Sequence, residues 1–153
     1  MSENNNRLTL EYYRQQSVIT DPGKHAYLFD DIPQDISNLV RTVQGLLISL
    51  PWEEAYGLNT PRERHKEIYL RNVPEILKQI LELNPSPLVM KRPPEKRKVS
   101  LCRDFAVLLV SMLRHRGVPA RGRVGFAGYY RAETPKHWDH RIAEYWNERL
   151  NRW

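Results

Sequence analysis

Apolar residues recur with helical spacing in two long stretches of the chain. From Ile36 to Leu50 they follow the i, i+3, i+4, i+7 pattern of an amphipathic helix, and Pro51 ends that pattern. The stretch VPEILKQILELN carries a second stripe, with Pro74 suited to a first helical turn and Asn84 followed by a proline that stops it. Both stretches predict helices with one face in the core.

The stretch that begins near Ser100 is apolar on almost every side, which predicts a central, buried helix. Ser100 suits the N-cap position, so Cys102 falls in the first turn. Basic residues occupy the last turn, where cations oppose the negative end of the helix dipole, and Gly117 followed by Pro119 ends the helix.

Two later stretches are typical of β-strands. ARGRVGFAGYY is rich in β-formers and glycine, and HRIAEYW alternates between two sets of side chains. We expect them to be antiparallel neighbours, joined by a polar loop around Glu133, Thr134 and Pro135. Helices followed by strands predict an α+β fold.

The connecting segments carry weaker patterns. Trp52 and Tyr56 fall in a connection, and residues 61–71 are a weakly periodic helical stretch. Residues 84–99 contain four prolines and a cluster of Lys and Arg side chains. We expect this segment to be extended on the surface without regular helix, and its basic cluster to be a solvated loop rather than a binding patch.

Composition limits the classes of protein that this chain can represent. With 153 residues and 41% hydrophobic residues, it has the size of one globular domain. No apolar run is long enough to cross a membrane and no signal pattern opens the chain, so we expect a cytoplasmic protein without membrane contact. The single cysteine excludes an internal disulfide and a Cys-rich zinc site.

Charge adds little to this picture. The net charge of +6 could attract nucleic acid, but no base-reading motif accompanies it, so nucleic-acid binding is not expected. No ligand set for a metal and no glycine-rich phosphate loop are apparent, so we expect neither metal nor cofactor.

The role of Cys102 has two interpretations. At a helix start, unpaired backbone N–H groups and the helix dipole stabilise a thiolate, which suits a nucleophile. A free cysteine is more often a small buried apolar side chain. A nucleophile also needs a base, and His115 lies about 20 Å along the same helix. His140 is the better candidate because it opens a strand, and His137 stays open as an alternative.

The segments CRDFAVLLVSMLRHRGVPARGRVGF and HWDHRIAEYWN resemble the core of the transglutaminase-like superfamily. The resemblance covers residues 100–147, and the N-terminal part resembles the helical region of bacterial transglutaminase-like domains. It implies a papain-like arrangement in which the Cys helix packs on an antiparallel sheet. It also implies that Cys102 is the nucleophile and His140 the general base and acid.

The family's third catalytic residue is an Asp on a following strand, and this sequence has none at that place. Asp139 is expected to point away from the ring of His140, and Asp104 to serve the helix N-terminus. We therefore expect a chain truncated before the Asp strand. Its sheet would be incomplete, and the exposed edge could support a homo-oligomer.

These observations predict one transglutaminase-like domain over residues 1–153, with a helical region and basic connector at 1–99 and the core at 100–153. The resemblance implies a cysteine hydrolase, protease or acyltransferase that acts on a protein or peptide through a thioester on Cys102, with activity impaired by the truncation. The alternative is an inactive transglutaminase-like module for binding or assembly.

Overall fold

The computed structural model describes residues 3–128 and 138–153. The described chain contains four α-helices and four strands, and the bounds of these elements are α1 Glu3–Arg14, α2 Ile36–Leu46, β1 Leu47–Ser49, α3 Val73–Leu83, β2 Lys98–Ser100, α4 Cys102–His115, β3 Ala120–Ala127 and β4 Trp138–Tyr145. Short 3-10 helices lie between them at Gly23–Phe29, Leu50–Tyr56, Arg62–Tyr69 and Pro94–Lys96. The fold is α+β, as the sequence predicts.

Strands β3 and β4 form an antiparallel pair, with Ala120 opposite Tyr145 at one end and Ala127 opposite Trp138 at the other. The sequence predicts this pairing correctly. The predicted loop around Glu133 to Pro135 lies outside the described residues.

A second, parallel pair joins β1 to β2, and the sequence analysis missed it. The first predicted helix was expected to continue to Pro51, but α2 ends at Leu46 and the chain turns into β1. Leu47 and Ile48 are buried in that strand. A short apolar run fits a buried helix and a buried strand equally well, so periodicity could not detect a partner strand about fifty residues away.

Helix α4 is the central element, in contact with α1, α2, α3 and both sheets. Leu108 and Met112 are fully buried on it, and Gly117 takes the left-handed conformation that ends it, as predicted. The predicted N-cap is wrong, because Leu101 rather than Ser100 precedes the helix. Ser100 instead ends β2, where its hydroxyl donates to the Lys98 carbonyl oxygen at 3.1 Å.

The basic segment before β2 also departs from the prediction of a solvated, extended loop. Arg92, Arg97 and Lys98 are buried, and the segment contains a 3-10 turn and a strand. The guanidinium of Arg92 donates to five backbone carbonyl oxygens, those of Asn84, Ser86, Pro87, Leu88 and Met90. A proline-rich chain has few internal hydrogen bonds of its own, so a buried guanidinium holds these carbonyls in place.

Helix α3 matches its prediction closely. Its N-cap is Asn72, whose side-chain oxygen accepts the N–H of Glu75 at 2.9 Å, and Pro74 lies in the first turn. Ile76, Leu77 and Ile80 are buried on one stripe. Over the two described parts of the chain, none of the helices combines the length and apolarity needed to cross a membrane.

We expect Asn72→Ala to lower the free energy of unfolding by about 1 kcal/mol, because the Glu75 N–H loses its acceptor. Asn72→Ser, which keeps a capping oxygen, is the control and should retain most of the stability. Urea unfolding followed by tryptophan fluorescence measures both. Equal losses in the two variants would contradict the capping role.

We expect Arg92→Met to lower the free energy of unfolding by on the order of 3 kcal/mol, because it leaves several buried carbonyl oxygens without donors. Lys96→Met removes an exposed cation from the same segment and should change stability by less than about 0.5 kcal/mol. If both variants unfold like the wild type, the segment is the solvated loop that the sequence suggested.

Candidate active site

A cavity of about 670 Å³ opens beside the first turns of α4. Its walls come from α2, β1, the 3-10 segment Leu50–Tyr56, α4 and β4. Three aromatic side chains on the wall are about half exposed, namely Trp52 at 47%, Tyr56 at 53% and Trp138 at 52%. The cavity therefore combines an apolar floor with an aromatic rim, which is typical of sites that bind organic ligands.

Cys102 is the first residue of α4 and lines this cavity, partly exposed. The buried helix behind it fixes its backbone. The first N–H groups of a helix have no intrahelical acceptor, and they point out of the helix start, where the dipole is positive. An anion formed on the Cys102 sulfur would therefore lie in a favourable field.

His140 lies in β4, directly opposite Gly125 of β3, and also lines the cavity. Residues 138–143 all contribute to the wall, so the cavity reaches both faces of the strand at this end. Alternation along β4 assigns His140 to the face of Ile142 and Glu144, whereas Ala143 packs against the core. The structure thus brings Cys102 and His140 to one cavity from two different elements.

The two aspartates that the sequence singled out are both bound to cations. Asp139 accepts from the guanidinium of Arg141 at 2.8 Å on the exposed surface. Strand alternation places it on the face opposite His140, in agreement with the prediction. Asp104 accepts the Leu101 N–H at 3.3 Å, so it serves the helix start as predicted.

Asp104 also belongs to a buried ionic cluster. Lys98 and Asp104 are both fully buried, with 3.1 Å between the Lys98 Nζ and the Asp104 Oδ2. The guanidinium of Arg103 donates to the other carboxylate oxygen at 2.8 and 3.1 Å. The Lys98 ammonium completes its bonds with the Val99 carbonyl at 3.0 Å and the Ser100 hydroxyl at 3.3 Å.

A second ion pair supports this cluster from the 3-10 segment Arg62–Tyr69. The buried Glu67 accepts the Val99 N–H at 2.7 Å and pairs with Arg64 at 2.7 Å. Arg103 donates to the Ile68 carbonyl at 2.8 Å. The start of the Cys102 helix is therefore tied to two other elements by charge-assisted hydrogen bonds.

The other histidines that the structure describes lie away from the cavity. His115 is at the far end of α4, 3.8 Å from the Asp30 carboxylate, so it does not reach Cys102, as predicted. His65 contacts the Thr60 carbonyl at 3.1 Å. The alternative base His137 lies outside the described residues.

Sequence reasoning missed Lys98 and Glu67, because neither belongs to a recognisable motif. The only available indication was Asp104, an acidic side chain three residues after the residue that precedes the helix, as in a capping box. Among the described residues, no group of three His, Cys, Asp or Glu side chains is arranged to hold a metal ion.

Residues 89–153 match the family model of the transglutaminase-like superfamily core. Over these residues the chain is therefore similar to the transglutaminase-like superfamily, which confirms the resemblance found over residues 100–147. The match contains β2, α4, β3 and β4, and with them Lys98, Cys102 and His140. Searches of curated proteins and of solved structures found no match to the chain.

Proposed function

We propose that the cavity is the active site of a cysteine-dependent acyl transferase or amide hydrolase, with Cys102 as nucleophile and His140 as general base and acid. One observation carries the proposal. Within the part of the chain that matches the transglutaminase-like family, a thiol at a helix start and a histidine from the paired strand line the same cavity.

The reaction would proceed in two stages. His140 accepts the proton of the Cys102 thiol, and the thiolate attacks the carbonyl carbon of an amide or ester. The bond from that carbon to the leaving nitrogen or oxygen breaks, and His140 returns the proton to the leaving group. The resulting thioester is then resolved by water, which gives hydrolysis, or by an amine, which gives transfer.

The helix start also supplies a donor for the oxyanion that forms during the attack. The Cys102 N–H lies in the first turn of α4, where it has no intrahelical acceptor. Fixed backbone donors of this kind stabilise the tetrahedral intermediate without reorganisation.

A protein or peptide is the substrate class that this cavity fits best. Its volume of about 670 Å³ accommodates a side chain with its adjoining backbone, and the half-exposed aromatic rim offers surfaces for apolar contact. The resemblance to bacterial transglutaminase-like domains favours hydrolysis, so we propose water as the acceptor.

One observation favours the alternative of a binding or assembly module that has lost catalysis. Asp139 is bound to Arg141 and Asp104 to Lys98 and Arg103, so either carboxylate would have to leave a cation in order to orient His140. Loss of the orienting carboxylate in a catalytic triad reduces rate by orders of magnitude. The following two experiments separate the two functions.

Alkylation with iodoacetamide tests the thiol directly, since Cys102 is the single cysteine of the chain. We expect the midpoint of the rate against pH to lie well below the ~8.5 of a free thiol, and His140→Ala to raise it. His115→Ala, at the opposite end of the helix, is the control and should leave the profile unchanged. An ordinary midpoint in the wild type would favour the binding module.

A chromogenic acetyl ester tests acyl transfer. We expect a burst of about one equivalent of leaving group per chain, an acetyl group on Cys102 by mass spectrometry, and neither in Cys102→Ala. An added alkylamine that is acetylated would identify transfer, whereas acetate alone identifies hydrolysis. If the wild type releases leaving group no faster than Cys102→Ala, the proposal of a covalent enzyme is wrong.

A further inference from the structure

We propose that Lys98 is a positioning residue for Cys102. Lys98 and Arg103 together more than neutralise the charge of Asp104, so that Asp104 can hold the helix start while one positive charge remains at the helix start that carries the thiol. This inference rests on the proposed function of Cys102. It assigns a role to a buried lysine that lies outside the cavity lining.

The geometry couples Lys98 to the residue that precedes Cys102. The Lys98 ammonium holds the Asp104 Oδ2 at 3.1 Å, and the same oxygen accepts the N–H of Leu101. The Asp104 N–H in turn donates to the Leu101 carbonyl oxygen at 2.9 Å. A displaced Asp104 carboxylate would therefore release the backbone at the position where α4 begins.

The formal charges explain why one cation would not be enough to leave the helix start positive. Asp104 lies in the first helical turn, two residues after Cys102, and an unneutralised carboxylate there would oppose a thiolate. Arg103 occupies its Oδ1 and Lys98 its Oδ2. Two cations and one carboxylate leave a formal charge of +1, which favours the thiolate.

Neighbouring elements contribute other charged and titratable groups near this helix start. Among the residues that the structure describes, these are Arg64, Glu67, Tyr56, Arg97, Asp139, His140 and Arg141. Glu67 is paired with Arg64, and Asp139 with Arg141. The Arg97 guanidinium lies over the ring of Tyr56, 5.7 Å from its centroid. None of these groups changes in the variants below, so they form a constant background.

A buried ion pair is a weak source of stability, because desolvation offsets the attraction between its charges. Burial lowers the pKa of Lys98, and the Asp104 carboxylate acts in the opposite direction by raising that pKa. Asp104 thus helps to keep Lys98 charged, and Lys98 keeps Asp104 in place. The Lys98–Asp104 pair is thus expected to add little stability, and it lies at the start of the helix that carries Cys102. Both facts are consistent with a positional role.

The test compares Lys98→Met with the double variant Lys98→Met/Asp104→Asn. In the single variant Asp104 and Arg103 cancel, so we expect the midpoint pH of Cys102 alkylation to rise by about one unit and the rate at pH 7 to fall about tenfold. The double variant loses more contacts but regains the formal charge of +1 through Arg103. We expect it to return most of the way to the wild-type midpoint.

This restoration distinguishes a role that depends on the charge at the helix start from a purely structural one, in which the double variant would be at least as impaired as the single variant. Lys78→Met, which breaks the exposed pair between Lys78 and Glu82 on α3, changes the net charge by the same amount and should have no effect. If Lys98→Met does not fold, Arg103→Gln removes a partly exposed cation from the same carboxylate. It should raise the midpoint, and Arg103→Lys should preserve it.

Three results would contradict these proposals, and they differ in which proposal they overturn. A wild-type midpoint near that of a free thiol overturns the proposed function. The midpoint pH of Cys102 alkylation could instead be low in the wild type and depend on His140, yet not move in Lys98→Met or Arg103→Gln. That result overturns this inference alone. A double variant that is no closer to the wild type than Lys98→Met overturns it as well.

Discussion

The fully buried carboxylate of Asp104 is the constraint on which the arrangement of this domain depends. A charge without solvent needs partners on each oxygen, and here Lys98 comes from β2, Arg103 from α4 itself, and the Leu101 N–H from the residue between them. These bonds fix the angle at which the chain leaves a strand and enters the central helix. Because β2 pairs with β1, they also fix that helix against the N-terminal half of the chain.

The cavity follows from this fixed helix start. Helix α4 packs its apolar length against α2, α3 and the antiparallel pair, while Cys102 in its first turn remains partly exposed. Strand β4 crosses that end and contributes His140, and the 3-10 segment Leu50–Tyr56 closes the wall with aromatic side chains. A thiol and a histidine, both within the part of the chain that matches the transglutaminase-like family, therefore line a space formed by elements from both halves of the sequence.

Much of the fold was predictable from local pattern. Helices α3 and α4 and the pairing of β3 with β4 follow from periods of 3.6 and 2, from Pro74 near a helix start and from Gly117 at a helix end. The family resemblance is likewise a property of the order of residues along the chain. Cys102 and His140 could be singled out as candidates for this reason, because each belongs to a segment with its own recognisable pattern.

Tertiary structure alone decided the rest. The parallel pair of β1 and β2 joins segments that carry no reciprocal pattern, and it shortened a helix that periodicity extended to Pro51. Proline and basic composition indicated a solvated loop, yet Arg92 and Lys98 are buried, because the folded path of this segment turns nearby acceptors toward their donors. Local sequence determines periodicity and caps, whereas the burial of a charge depends on partners that only the folded chain brings within hydrogen-bond distance.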